Sequence, residues 1–529
     1  MLIDGRAVPA GTELATDLCI VGAGAAGITL GMTLAGQGFD VLLLESGGLD
    51  PDVESQALAG GEIGGIGYWP LQSARIRCFG GSTGHWQGWC RPFEPMDFAK
   101  RSWVPHSGWP IGLADVQPYY PRAQEICELG TFDYDPKDWD LKEAPPLPLA
   151  GDAVRTRLIQ FSTPTRFGVR YRTPILAAPN VRLCLYSNVV RMDPTANGSQ
   201  ITKLNIATLA GNKFSVKARV FVLAAGGIDN PRLMLASNQV LNTGIGNAND
   251  LVGRYFADHI QLDTAGLFPL RDDVSFDLYM ENRTPKRSQL KTGSVGAAIM
   301  GYLTLSEQAQ RTARTLNYSC KIQETYLSDY YLHSRSQDIT EASKVTQMAE
   351  KVRTIMNSVG DAVSIAGDRA VGKARKFYKL ATTQEQAPNP ASRVMLGEKK
   401  DALGVRVARL EWQLTDLDRH TIKTAVVRLA QAFGEPGIAR LQVPIDLDAK
   451  EWPSNIGCSW HHCGTTRMHA DPKQGVVDAN CKVHGMQNLY VAGSSVFTTN
   501  GHGNPTLTIV ALSLRLAEHL RKVFSGAAP

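Results

Sequence analysis

Residues 17–46 read DLCIVGAGAAGITLGMTLAGQGFDVLLLES, and this stretch decides the fold. LCIVGAG is an apolar run closed by glycine, which predicts a strand buried on both faces in a parallel sheet. AAGITLGMTLAGQG carries a helical apolar pattern and meets its breakers at Gly36 and Gly38. FDVLLLE predicts a second buried strand. The result is a βαβ unit with Gly22-x-Gly24-x-x-Gly27 at its first turn and Glu45 at the end of its second strand. Each residue type has a physical task there. Gly22 permits a tight turn, Gly24 lets the backbone approach a pyrophosphate, and Gly27 lets the helix pack closely on the strand. The helix N-terminus then faces the phosphate charge. Glu45 can accept hydrogen bonds from ribose hydroxyls, and an acid there disfavours a 2′-phosphate. Together these features predict dinucleotide binding.

Working outward, ARVFVLAAGGIDNPRLMLASN (218–238) repeats the order of buried strand, glycine turn and helix. A second strand of the nucleotide domain therefore arrives far along the chain, so that domain is discontinuous. Between the two lie a loop rich in glycine and aromatics (75–98), connections rich in proline and aspartate (103–148), and the β-like runs VRLCLYSNVVRM and ITKLNIATLAG. From about 265 to 450 the composition changes. TLNYSCKIQE and VRVARLEWQL alternate as strands of an antiparallel sheet do. The mixed-charge run 339–381 predicts helix, a packing element with a lid or partner surface as alternatives. The chain closes with strand-like NLYVAGSSVF, the turn TTNGHGNPT and the helix LTIVALSLRLAEHLRKVF. The expected fold class is α/β, α+β overall. A discontinuous Rossmann-like nucleotide domain (1–120, 180–265 and 452–529) joins a substrate domain (121–179 and 266–451) built on an antiparallel sheet flanked by helices.

Composition narrows the function. The chain of 529 residues exceeds one simple core, and its net charge is only +5, from 55 basic and 50 acidic side chains. That balance gives no reason to expect nucleic acid or an anionic membrane as partner. The nine cysteines are scattered and odd in number, which suits a reducing compartment rather than a disulfide framework. No apolar run reaches the roughly 18 residues of a membrane span. The first residues show neither a basic-then-apolar leader nor twin arginines, so the expected location is the cytoplasm.

The blocks GAGAAG…LLLES, GGSTGHW, VLAAGGIDNPRLML, LVGRYFADH and HHCGTTRM…VVD…VHGMQNLYVAGSSVF…GHGNPTLTIVAL occur in one order from end to end. In these blocks the chain resembles the glucose–methanol–choline (GMC) oxidoreductases, FAD-dependent alcohol oxidases and dehydrogenases. GGSTGHW and NPTLT look most like the bacterial and pyranose-oxidase-like sugar and glycoside enzymes. The resemblance implies FAD, and oxidation of a secondary hydroxyl of a sugar or glycoside by hydride transfer to flavin N5. Oxygen, a quinone or a partner carrier would accept the electrons. A lyase of the hydroxynitrile type on the same scaffold, or oxidation of a non-sugar alcohol, is the alternative.

The same resemblance distributes the site. His461, three residues before Gly464, would be the base that takes the hydroxyl proton. Hydride does not readily leave a neutral alcohol, so chemistry asks for such a base of near-neutral pKa. Asn504 would hold the reacting oxygen with its amide, with His502 as rival. Asn504 and Pro505 also suit the N-cap and N1 positions of the closing helix. Ala25, Ala26, Ser46, Arg77, Gly81, Ser82, Val190, Ala225, Gly493, Ser494 and Thr506 would join Gly22, Gly24, Gly27, Glu45, Asn504 and Pro505 around FAD. Val190 is placed at the adenine. His85 would either carry the flavin covalently or neighbour it, beside Trp86. Any of Trp86, Trp89, Trp103 and Trp109 could stack on substrate, although core packing is the commoner use of tryptophan.

One cluster first suggests metal. CSWHHCGTTRMH (458–469) holds three histidines and two cysteines. Adjacent histidines rarely bind one zinc together, and Cys458 and Cys463 lack close ligand spacing. No metal is expected. His461 should face the flavin, His462 should turn into protein, and His469 should lie outside the motif.

Overall fold

Leu18 to Val21 and Val41 to Leu44 are buried residue after residue. Such strands are stable only with both faces covered. Each aliphatic side chain removed from water there contributes about 1.5–3 kcal/mol. The computed structural model describes residues 1–281, 297–326, 376–446, 448–453 and 455–526. In it the two strands are neighbours in an eight-stranded sheet. The parallel run, in spatial order, is Leu2–Asp4, Val181–Leu185, Val41–Leu44, Glu13–Val21 and Lys213–Leu223. Leu489–Val491 also pairs parallel with Lys213–Leu223. Ile201–Ala207 and Asn188–Pro194 extend the sheet antiparallel. Helix Ala25–Thr33 follows the first long strand and packs against the closing helix Thr506–Ser525. It stops short of Gly36, the breaker expected from sequence.

The second sheet is antiparallel. Its order is Ala439–Gln442, Ile260–Pro269, Lys376–Gln384, Tyr318–Tyr326, Ala298–Leu305, Val154–Phe161 and Trp89–Cys90, with Gly457–Cys458 paired on Ile260–Pro269. Alternation assigns its faces. Cys320, Ile322 and Leu380 share an apolar cluster with Ala425, Leu429 and Phe433 of helix Asp416–Gly434. That helix starts at a reciprocal capping box between Thr415 and Asp418. Ser319, Lys321 and Gln323, interleaved with those apolar residues, line a cavity of about 720 Å³.

Two sequence expectations need correction. VRVARLEWQL supplies strand Arg406–Trp412, which lies in a separate three-stranded sheet with Arg393–Lys400 and Gly61–Gly65. A short alternating run fixes strand character and leaves the partner open. The helical run 339–381 falls outside the described residues as far as 375. From Lys376 the chain is a central strand, held between two neighbours by cross-strand pairing that overrides its local pattern. Among the described residues no helix is long and apolar enough to cross a membrane.

Candidate active site

The cavity opens where the parallel strands end. Val21, Leu44, Ala224 and Gly493, at or just past the carboxyl ends of four strands, contribute to its wall, as does Val190 of the antiparallel extension. Ligands of open α/β sheets bind at this edge. Three helix N-termini reach the same space, those of Ala25–Thr33, Gly226–Ala236 and Thr506–Ser525, and none has a side-chain cap. Their free N–H groups and dipoles favour a bound anion. Gly27 has a different task and does not line the cavity. A Cβ there would lie 1.9 Å from the carbonyl oxygen of Gly22, so the helix can approach the strand only over glycine. Gly24 faces open space, with no atom within 4 Å of a Cβ built on it.

Glu45 is buried, and its carboxylate accepts the N–H groups of Ala23 (2.8 Å) and Gly47 (3.2 Å). Burial raises its pKa against those two bonds. This chemistry fits FAD: an acid beside the glycine turn for ribose hydroxyls, and three uncapped helix ends for a pyrophosphate. Ala25, Ala26, Ser46, Gly81, Ser82, His85, Trp86, Ala225, Ser494, Pro505 and Thr506 also stand on the cavity wall. Arg77 does too, yet its guanidinium is engaged by Asp229 at 2.9 Å. Asp229 is buried, but Arg75, Arg77 and Arg232 around it hold its carboxyl well below the usual range. The His85 ring leans on Trp460, with centroids 5.4 Å apart, and burial lowers its pKa.

His461 also stands on the cavity wall, in contact with the buried His259. His461 Nδ1 is 2.7 Å from His259 Nδ1, and His461 Nε2 is 3.4 Å from Asn504 Nδ2. The protons can be assigned from the partners. His259 Nε2 faces the carbonyl oxygens of Gly501 (2.9 Å) and Asn500 (3.2 Å). Carbonyls only accept, so Nε2 carries the hydrogen. Burial pushes the pKa of both imidazoles down, that of His461 well below its ordinary value. Neutral His259 therefore has its lone pair on Nδ1, and the 2.7 Å contact is His461 Nδ1–H donating to it. That leaves the lone pair of His461 on Nε2, beside the amide of Asn504.

Asp258 braces this arrangement. Its Oδ1 accepts the backbone N–H groups of His259 (2.7 Å), His461 (2.9 Å) and Ser459 (3.2 Å), and its Oδ2 accepts the hydroxyl of Tyr68. Burial raises its carboxyl to about 6. Asp258, His259 and Tyr68 were not singled out from sequence. A signal existed: LVGRYFADH ends in Asp258 and His259, a polar pair at the mouth of strand Ile260–Pro269.

The remaining expected residues sort as follows. The closing helix begins at Thr506 with Pro505 at its cap, so Asn504 does not cap it and its amide is free to meet His461. His462 packs near Tyr68 and Phe256 (centroids 6.1 and 5.8 Å) and also reaches the cavity wall, so it does not simply turn away. Burial lowers it to about 3. His502 binds the Tyr302 hydroxyl through Nε2 at 2.9 Å, and burial lowers it to about 4. His469 Nδ1 accepts the N–H of Asp471. Trp86 and Trp89 line the cavity, whereas Trp103 and Trp109 donate to Thr315 and Thr499 elsewhere.

Known proteins resemble this chain over different extents. The GMC oxidoreductase family model matches residues 388–513. The 2-methyl-1,2-propanediol dehydrogenase of Mycolicibacterium austroafricanum is 24% identical, over 84% of this chain and 81% of its own. The fructose dehydrogenase large subunit of Gluconobacter japonicus is 23% identical, over 96% and 97%. The crystal structure of pyridoxine 4-oxidase from Mesorbium loti shares the fold, with a TM-score of 0.55 and 17% identity over 95% of this chain and 98% of that one. With the family-model match over residues 388–513, relatives that align along most of the chain and a cavity that suits a dinucleotide, this chain resembles the GMC oxidoreductases, and the comparisons support an alcohol-oxidising flavoenzyme.

Proposed function

We propose that the protein oxidises a secondary hydroxyl of a sugar or glycoside to the carbonyl, with His461 as base, Asn504 orienting the reacting oxygen and FAD in the cavity. The observation that carries this reading is the position of His461, with Nδ1 2.7 Å from His259 Nδ1 and Nε2 3.4 Å from the Asn504 amide nitrogen. The turn at Gly24, Ala25 and Ala26 would hold the pyrophosphate, Glu45 the ribose, and Val190 the adenine. Gly81, Ser82, Gly493 and Ser494 would line the flavin ring. When bound, the flavin accepts the carbinol hydrogen as hydride.

The chain's own residues do the rest. The substrate hydroxyl donates to His461 Nε2, and its oxygen accepts from Asn504 Nδ2–H. Two directed bonds fix the hydroxyl before its proton moves. Burial keeps His461 neutral with its lone pair free, but it also lowers its basicity, so the ring is a weaker base than the near-neutral one expected from sequence. A sugar is favoured by the polar residues that the antiparallel sheet contributes to the same cavity. Gln261, Ser319, Lys321, Gln323 and Thr383 line the cavity with hydrogen-bonding groups suited to many hydroxyls. A relative named for fructose agrees with this; the relative named for a propanediol keeps a non-sugar alcohol as the second reading. A bond from His85 to the flavin ring is part of the proposal, supported by a neutral imidazole on the cavity wall.

The test is anaerobic addition of sugars, glycosides and small diols to the yellow protein. Bleaching by sugars or glycosides is expected. Bleaching by diols alone would move the substrate class, and bleaching by no alcohol would overturn the redox reading in favour of a lyase. Re-oxidation by air, quinone or a protein carrier then identifies the acceptor. Acid precipitation checks His85: colour released to the supernatant would exclude the covalent bond.

A further inference from the structure

We propose that the abstracted proton comes to rest on His259: His461 gathers it at Nε2 and passes its own Nδ1 proton to His259 Nδ1. This rests on the base assignment made above. The bonds balance. One O–H bond of the alcohol breaks as an N–H bond forms at His461 Nε2. The N–H bond at His461 Nδ1 breaks as one forms at His259 Nδ1. No electrons pass through the pair; two leave with the carbinol hydrogen to the flavin.

Geometry carries the inference. The two Nδ1 atoms are 2.7 Å apart, and the rings are nearly perpendicular, at 86°. A protonated His259 already has what a buried cation needs. Its Nε2–H points at two carbonyl oxygens, those of Asn500 and Gly501, and bonds from a charged donor are roughly twice as strong as neutral ones. On the sequence side, Asp258 accepts its backbone N–H. Behind the turn, Asp97 lies against Gly501, and Glu385, paired with Arg101, adds a pull upward on the pKa of His259. His502 is the other imidazole nearby. His461 shares Asp258 through its own backbone N–H (2.9 Å), but its ring nitrogens face His259 Nδ1 and the Asn504 amide nitrogen rather than carbonyl oxygens. Beyond burial, its charged-state neighbours are His259 and His462, and both act to lower it. Of the two rings, His259 is the better place to hold a proton. It is also completely buried, so the proton stays inside until the next half of the cycle.

Two variants separate the roles, each checked for flavin content. In His259→Phe both the hydrogen bond and the proton store are lost, and anaerobic flavin reduction should slow about a hundredfold or more. In His259→Asn the amide oxygen can still accept His461 Nδ1–H, which keeps the tautomer, but it cannot be protonated. Reduction should stay about tenfold or more below the parent. The acid limb of kcat/KM should also move to lower pH, because the pair titrates as a unit in the parent. Recovery of the parent rate in His259→Asn, with the acid limb unmoved, would overturn the relay and leave His259 only as a setter of the tautomer.

The second measurement needs neither turnover nor a variant that folds well. In ¹⁵N-histidine NMR of the parent enzyme under acid titration, His259 should be the first of the pair to carry protons on both nitrogens. His461 protonating first would overturn the proposal. If no alcohol bleaches the flavin, the proposed function fails by itself, and the NMR order still decides the relay.

Discussion

The cofactor side and the proton side of the cavity are built from different materials. The first is mostly backbone: a glycine turn, three uncapped helix ends and one acid at the end of a strand. The second is side chains borrowed from distant stretches, with Asp258 and His259 from one, His461 from another, and Asn504 and the carbonyls of Asn500 and Gly501 from a third. The difference teaches where each side should be fragile. A backbone cradle tolerates changes of side chain and fails when a Cβ intrudes. A side-chain network keeps its fold through a substitution and loses chemistry.

Gly27→Ala breaks the cradle outright. Its methyl would sit 1.9 Å from the carbonyl oxygen of Gly22, a clash that backbone on both sides cannot relieve by rotating a side chain. The expected result is loss of folded, yellow protein, with destabilisation above about 4 kcal/mol, the range of outright steric failures. Flavin absorbance per mole of purified protein reads it. A Gly27→Ala protein that purifies yellow would mean that helix and strand have slack here.

His461→Ala should do the opposite, leaving colour and melting behaviour near those of the parent while flavin reduction by substrate falls about 10²–10⁴-fold, as for removal of a general base. Its neighbour sharpens the contrast. His462→Ala removes a ring that packs near Tyr68 and Phe256, so it should cost stability, about 1–3 kcal/mol, and keep reduction within about tenfold. If His462→Ala stops reduction and His461→Ala does not, the base has been assigned to the wrong histidine.

The same contrast explains what the sequence made legible. The βαβ unit declares itself because its constraints fall within one short stretch: glycines for the turn and the close packing, apolar residues for strands buried on both faces, and Glu45 at the strand end. His461 and Asn504 could be nominated for the proposed roles through their neighbours in a motif. His259 could not be given its role, because that role depends on a 2.7 Å contact across 202 residues of chain. Lys376–Ala381 reads as helix locally and becomes part of strand Lys376–Gln384 because Ile260–Pro269 and Tyr318–Tyr326 lie on either side of it. Arg406–Trp412 reads correctly as strand, yet alternation alone cannot say which of two sheets it joins.

The smallest expected effect tests how the proton side is held. Asp258 is fully buried, and its carboxyl is raised to about 6 in the folded protein. An unfolded chain would ionise it near 3.9. Between those values the unfolded state sheds the proton first, so this group lowers stability as pH rises from about 4 to 6 and adds nothing further above. Asp97 and Asp418, both raised to about 7 by burial, act in the same direction. Asp258→Asn keeps an oxygen for the three backbone N–H groups and turns its amide toward the Tyr68 hydroxyl, which can accept. The loss of stability between pH 5 and pH 7 should then shrink by about 1 kcal/mol, a change in Tm of about 1–2 °C for a chain of this size. Thermal unfolding of the flavin-loaded protein at the two pH values measures it. If Asp258→Asn instead melts far lower at both, the ionised carboxylate is itself the brace. The backbone of His461 and His259 would then be held by charge, as firmly as glycine packing holds the cradle on the other side.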